Sequence, residues 1–160
     1  MEHNNLPPVD ELLALDNQIC FRLYAVSRAI QRQYRSALNT LGITYPQYLV
    51  LLAMWQWQSE QPHFRPSLRD ITERLHLDSG TVTPLIARMV SAGWLNKTVC
   101  ADDGRAWSIT LTKKASKLKQ QAVIVPESVL CSMPASLDFA QLKSVLDTLL
   151  SALSNKAGAP

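Results

Sequence analysis

Between Ser67 and Leu111 the apolar periodicity of this chain changes once, and that change restricts its fold more than any other feature. Leu68, Ile71 and Leu75 fall at helical spacing behind Ser67, a residue type that caps helices. A short turn at His76-Leu77 leads to Asp78-Ser79-Gly80-Thr81, which suits a second helix start. That helix carries Val82, Leu85, Ile86, Met89 and Val90 and ends at Gly93, a residue that readily takes the left-handed backbone of a helix stop. The period then drops to two. Leu95, Lys97 and Val99 alternate, as do Trp107, Ile109 and Leu111, around the turn-rich Ala101-Asp-Asp-Gly-Arg105. Two helices joined by a tight turn, followed directly by a β-hairpin, predict a helix-turn-helix with a wing.

The flanks are helical. Ile19, Leu23, Val26, Ile30, Tyr34, Leu38 and Leu41 recur every three or four residues, giving one long amphipathic helix stopped by Gly42. Thr44 to Gln47 reads as a capping box for a helix over Tyr48–Trp57, apolar on most sides and therefore buried. After the hairpin, Thr112 can cap a helix from Lys113 to about Val125, interrupted by Pro126. A last helix carries Leu142, Val145, Leu146, Leu149, Leu150 and Leu153. The fold class is mainly α, one chain in three regions: N-terminal helices over 9–60, a winged helix over 61–111 and C-terminal helices over 112–160. A winged helix already has a core. The flanking apolar faces therefore need another surface, and a second copy of the chain provides one through a two-fold dimer. The other reading is that they thicken the monomer core.

At 160 residues the chain can bury a core of its own, and 47% hydrophobic against 18% charged residues argues against wholesale disorder. Met1 to Pro8 reads as a loose arm. No uninterrupted apolar stretch is long enough to span a bilayer, and no basic-then-apolar leader opens the chain, so the expected compartment is the cytoplasm, with no membrane partner. Net charge is +3. The positive excess sits in residues 16–40, with four arginines (Arg22, Arg28, Arg32, Arg35) against Asp16, and in residues 61–115, with eight Lys/Arg against five Asp/Glu. Two basic segments fit a polyanion-binding surface; on charge alone, an ordinary solvated helix face fits better. Three cysteines, Cys20, Cys100 and Cys131, make no structural disulfide framework in a reducing compartment. Their spacing from one another and from His3, His63 and His76 makes no metal-ligand pattern, so no metal or other cofactor is expected.

Three stretches carry a resemblance. Leu15-Asp-Asn-Gln-Ile-Cys20-Phe-Arg-Leu-Tyr24, then Leu41-Gly-Ile-Thr-Tyr45-Pro-Gln-Tyr48-Leu-Val-Leu-Leu52, then Leu77-Asp-Ser-Gly-Thr-Val-Thr-Pro84-Leu, with Tyr34 between the first two, resemble the MarR family of winged-helix regulators. Within it they resemble the organic-hydroperoxide-sensing OhrR branch, from about Leu15 to Leu153. Val125-Pro-Glu-Ser-Val-Leu-Cys131 resembles its two-cysteine subtype. The resemblance implies a homodimer, not an enzyme, that represses a gene by binding double-stranded, pseudo-palindromic operator DNA until an organic hydroperoxide oxidises Cys20. Two positions depart from the family pattern: Gly104 stands at the wing tip where the family usually has Glu, and Ala87 precedes Arg88 where it commonly has Lys.

Cys20 lies in the first turns of the long helix, with Asp16 as the expected cap. A helix N-terminus favours an anion, and a thiolate is the form that attacks peroxide to give a sulfenic acid. On an apolar helix a cysteine is otherwise a small buried hydrophobe. Tyr24, four residues on, shares its helix face. Tyr34 is fourteen residues away, about 21 Å along a helix at 1.5 Å per residue, so it cannot reach Cys20 of its own chain. If Tyr34 and Tyr45 contact Cys20, they come from the partner subunit. The resemblance implies that they do, as phenol donors; the residues alone read as core or interface aromatics. For Cys131 the resemblance implies a resolving thiol that forms a disulfide with Cys20 across subunits. Cys100 reads as structural.

On the DNA side, Ser79, Thr81 and Thr83 stand at the start of the second helix of the pair, where hydroxyls reach base edges and the helix end attracts phosphate. Pro84 is expected in the first turn, where its missing N–H costs little. Arg88 suits a phosphate clamp or a surface salt bridge. Arg105 suits a narrow minor groove, with Asp103 positioning it. Three other functions stay open: release by a small phenolic ligand with Cys20 incidental, a thiol peroxidase, and a non-specific architectural DNA binder. The peroxidase lacks the βαβ grammar of such enzymes.

Overall fold

The computed structural model describes residues 7–99 and 107–156. In chain order these form α1 (Val9–Leu13), a 3-10 turn (Leu15–Asn17), α2 (Ile19–Thr40), α3 (Tyr45–Glu60), α4 (Leu68–Leu75), α5 (Ser79–Ser91), β1 (Leu95–Val99), β2 (Trp107–Leu111), α6 (Lys113–Gln121), α7 (Ile124–Leu130) and α8 (Phe139–Lys156). The chain divides into two compact units, Met1–Val129 and Leu130–Pro160.

The core of the first unit gathers where the sequence is most apolar. Val50, Leu51 and Trp55 of α3, Ile71 of α4, Val82, Ile86 and Met89 of α5, and Leu95 and Ile109 of the hairpin are all buried. Trp55 is buried with its indole N–H satisfied, donating to the Ala115 carbonyl at 3.1 Å and tying α3 to α6. The hairpin is antiparallel, with Leu95 opposite Leu111, Lys97 opposite Ile109 and Val99 opposite Trp107. The Ile109 N–H donates to the Pro66 carbonyl at 2.8 Å, so the segment before α4 flanks the far edge of β2.

Local chemistry sets the helix limits. Gly42 and Gly93 take φ of +68° and +72°, and the amides that follow them reach back to Leu38 and Met89, which closes α2 and α5 where the sequence predicts. Ser67 and Asp70 cap α4 reciprocally: the Asp70 N–H donates to Ser67 Oγ at 3.3 Å, and the Ser67 N–H to Asp70 Oδ2 at 2.7 Å. His76 ends α4 at φ +52°, the left-handed geometry that makes the turn of the helix pair.

Three local expectations are corrected. Asp16 does not cap the long helix. It lies in the preceding 3-10 turn, and Gln18 occupies the cap position. The Asn17 side-chain amide holds the Glu11 carbonyl, that of Gln18 holds Leu12 and Ala14, and Arg22 holds the Asp16 carbonyl, so this segment closes on itself before α2 begins. Next, the helix expected over Lys113 to about Val125 is two helices. The break at Ala122-Val123 avoids the clash a proline makes with the carbonyl four residues back, and leaves Pro126 in the first turn of α7. Last, Pro84 is the sixth residue of α5, beyond the first turn. It therefore leaves the Gly80 carbonyl without a helical donor.

Candidate nucleic-acid interface and thiol site

α5 turns one face inward through Val82, Leu85, Ile86 and Met89. Its outward face exposes Ser79, Thr81, Thr83, Ala87 and Arg88. Arg88 pairs with no carboxylate among the described residues, where the ion pair found is Arg69–Glu73. Its charge is thus open to a polyanion. Thr81 is already engaged: its N–H donates to Asp78 Oδ1 and its hydroxyl to Asp78 Oδ2, both at 2.8 Å. These two bonds, the hydroxyl's first, hold the Asp78 carboxyl below the usual carboxylate range. A carboxylate therefore stands at the helix end where the sequence suggested a phosphate, and Thr81 keeps only acceptor capacity for a base edge. Ser79 and Thr83, both exposed, make no side-chain hydrogen bond among the described residues. Asp103, Gly104, Arg105 and Cys100 lie outside the described residues.

Cys20 is the second residue of α2 and is exposed. Gln18, at the cap position, makes no side-chain capping bond to the first turn of this helix, so among the described residues its first amides have no capping acceptor. Tyr24 is 61% exposed one turn on. Tyr34 sits on the same unbroken helix, fourteen residues beyond Cys20, about 21 Å away. It does not meet its own Cys20; it meets Tyr45. Their ring centroids are 5.9 Å apart, with planes at 36°. Tyr48, buried, stands edge-on to Tyr34 at 6.1 Å. The structure thus brings Tyr34 and Tyr45 together and adds Tyr48, which sequence reasoning missed as a site residue. The signal was present: Tyr45 and Tyr48 are three apart and share a helix face. Burial pushes the Tyr34 phenol up. Burial and then Tyr34 push Tyr45 up. Tyr48 is pushed up to about 12, by burial first and its two phenol neighbours second. All three are neutral hydrogen-bond donors near neutral pH. Cys131 is exposed in the second unit, just after α7.

Around Cys20 the surface is apolar. Val9, Leu13, Leu15, Ile19 and Val26 are each more than half exposed. α8 likewise exposes Leu142, Val145, Leu146, Leu150 and Leu153. Each of these exposed apolar faces is the kind of surface that another molecule covers. Among the described residues, no helix is long and apolar enough to cross a membrane, and no three His, Cys, Asp or Glu side chains could hold a metal ion.

Comparison with known proteins agrees with this geometry. Residues 32–122 match the family described as transcriptional regulator SarA/Rot. The organic hydroperoxide resistance transcriptional regulator of Bacillus subtilis strain 168 is 41% identical over 145 residues, covering 90% of this chain and 95% of that one. Among solved structures, reduced AbfR bound to DNA, a protein of Staphylococcus epidermidis, aligns with a TM-score of 0.74 and 31% identity over 92% of this chain and 97% of that one. Disulfide-formed AbfR aligns with a TM-score of 0.58 and 33% identity over 88% and 96%. The Bacillus subtilis relative is a transcriptional regulator, and AbfR is seen bound to DNA. With its helix-turn-helix, hairpin and near full-length identity, the chain belongs to the MarR family of winged-helix transcriptional regulators, in the branch of the organic hydroperoxide resistance regulators.

Proposed function

We propose that this chain is a homodimeric repressor that binds pseudo-palindromic operator DNA and lets go when an organic hydroperoxide oxidises Cys20. The observation that carries the reading is the paired phenols of Tyr34 and Tyr45. They form a half-buried donor cluster that the chain's own Cys20 is too far along α2 to use. Cys20 itself stands on an apolar helix end that lacks a cover. A second copy placed on that end brings the phenols of one subunit to the sulfur of the other. Residues 9–60 and 112–160 then serve the dimer, and residues 61–111 the DNA.

The chemistry follows. The Cys20 thiolate attacks the terminal peroxide oxygen, the O–O bond breaks, and the alkoxide leaves as the alcohol after taking a proton from water. Two electrons pass from sulfur to peroxide, leaving a sulfenic acid at Cys20. The phenols of Tyr34 and Tyr45 donate hydrogen bonds to the thiolate and the incoming peroxide. The Cys131 thiol of the partner then attacks the sulfenic sulfur, water leaves and a disulfide forms. A disulfide needs Cα atoms about 4.4–6.8 Å apart. Drawing the two subunits to that spacing moves the helices that orient the winged heads. Their recognition helices then no longer match half-sites one DNA turn apart, about 34–36 Å. On the DNA, Ser79, Thr81 and Thr83 read base edges, Arg88 holds phosphate, and Arg105, positioned by Asp103, enters the minor groove. AbfR is known reduced on DNA, overoxidised on DNA and in a disulfide form, which supports a thiol that changes redox state and favours the disulfide, rather than added oxygen alone, as the form that lets go.

Non-reducing electrophoresis after mild cumene hydroperoxide tests the disulfide. A band of twice the monomer mass is expected for the wild type and for Cys100→Ser, and none for Cys20→Ser or Cys131→Ser. A persisting band in Cys131→Ser moves the resolving role to another thiol.

A further inference from the structure

The hairpin carries a cation that the proposed DNA contacts leave out. One sheet face runs from buried Leu95 and half-buried Leu111, through Lys97 and Ile109, to Val99 and Trp107. Its inner end is core. Its outer end is open: Val99 is 48% and Trp107 45% exposed. A half-exposed indole is a poor use of a large apolar side chain unless its face holds something. It does: the Lys97 ammonium lies 4.5 Å from the Trp107 ring centroid.

The chain contains a second pair of this kind, and the contrast is informative. Lys114 lies 3.8 Å over Trp94, but that indole is buried and the ammonium donates to the Ala92 carbonyl at 3.1 Å, closing the end of α5. Lys114 is committed to the fold. Lys97 makes no hydrogen bond and no ion pair with another described residue. The indole fixes the lysine stem while the outer N–H groups stay free. Residue 99 is about 7 Å beyond Lys97 at 3.3 Å per residue, so Lys97 stands within about one Debye length of the base of the wing tip.

We propose that Lys97, held on Trp107, is a DNA phosphate contact at the root of the wing, with Trp107 as its positioning residue. The inference rests on the reading that the wing lies against DNA. A contact of this kind is independent of base sequence. It adds grip and fixes the depth of the wing while the tip enters the groove.

The test uses the full chain, reduced, and a fluorescein-labelled duplex bearing the sequence that the wild type enriches from a random pool. Affinity is measured by anisotropy across a salt series. Lys97→Gln removes one contact from each subunit of the dimer and is expected to lower the slope of log affinity against log salt by about 1.8, and affinity about fivefold or more at physiological ionic strength. Lys97→Arg is expected to keep the wild-type slope, which separates lost charge from a damaged hairpin. Trp107→Leu is expected to weaken binding two- to threefold with Lys97 present and to have no effect once Lys97 is Gln. An unchanged slope in Lys97→Gln, or an equal Trp107→Leu loss in both backgrounds, overturns the proposal. If the wild type itself binds without salt dependence, the underlying reading of the wing fails instead.

Discussion

Tyr34 and Tyr45 come from different helices, yet their rings meet at 5.9 Å, and the turn between α2 and α3 is what joins them. Leu38, Leu41 and Ile43 bury on either side of Gly42, so the chain reverses tightly there and lays the start of α3 against the last turns of α2. The pair is held by the core, so each hydroxyl can be removed without moving the ring. Tyr34→Phe or Tyr45→Phe is expected to leave reduced DNA binding unchanged. Each is expected to slow peroxide-driven release about tenfold or more, the worth of one hydrogen bond to a charged group. Stopped-flow anisotropy reads both; release at the wild-type rate shows that the phenols do not serve the sulfur.

Tyr48 backs this pair, and its elevated phenol sets an alkaline limit. A phenol raised from 10.0 to about 12 is more readily neutral in the folded chain than in the unfolded one. Its contribution to stability is complete below pH 10 and is lost as pH rises from 10 through 12. Urea midpoints measured across that window are expected to fall in the wild type and to fall less steeply in Tyr48→Phe. Identical slopes contradict the burial assigned to Tyr48.

Asp78 stands at the N-terminus of α5 as both cap and like charge to DNA. Asp78→Asn keeps an acceptor for the Thr81 N–H and removes the negative charge. It is expected to tighten DNA binding several-fold with little change in melting temperature, whereas Asp78→Ala lowers the melting temperature by losing the cap. Weaker binding by Asp78→Asn indicates instead that the carboxylate itself touches a base.

Much of this was legible in the sequence because it is local. Ser67, Asp78, Gly42 and Gly93 act through atoms within a few residues of themselves, and each punctuates a helix as its side chain, or lack of one, dictates. The alternation of Leu95, Lys97 and Val99 likewise carried the wing strand. What failed depended on competition. Asp16 is a good capping residue, but Asn17, Gln18 and Arg22 together bond four carbonyls of the preceding segment and shift the helix start by two residues. Pro84 looked like a first-turn residue until Asp78 fixed where that turn begins. For Tyr48 the spacing to Tyr45 was legible, but its contact with Tyr34 of α2 is set by tertiary packing and was not.

The central claim is that oxidation at Cys20 releases DNA, and operator anisotropy before and after one equivalent of cumene hydroperoxide, with mass spectrometry of the Cys20 peptide, tests it most directly. The wild type is expected to bind when reduced and to release as Cys20 is converted, through the sulfenic acid, to a disulfide. Cys20→Ser is expected to bind equally well and to stay bound. If Cys20→Ser is released as readily as the wild type, or if the wild type stays bound with Cys20 fully converted to a disulfide, Cys20 is not the switch.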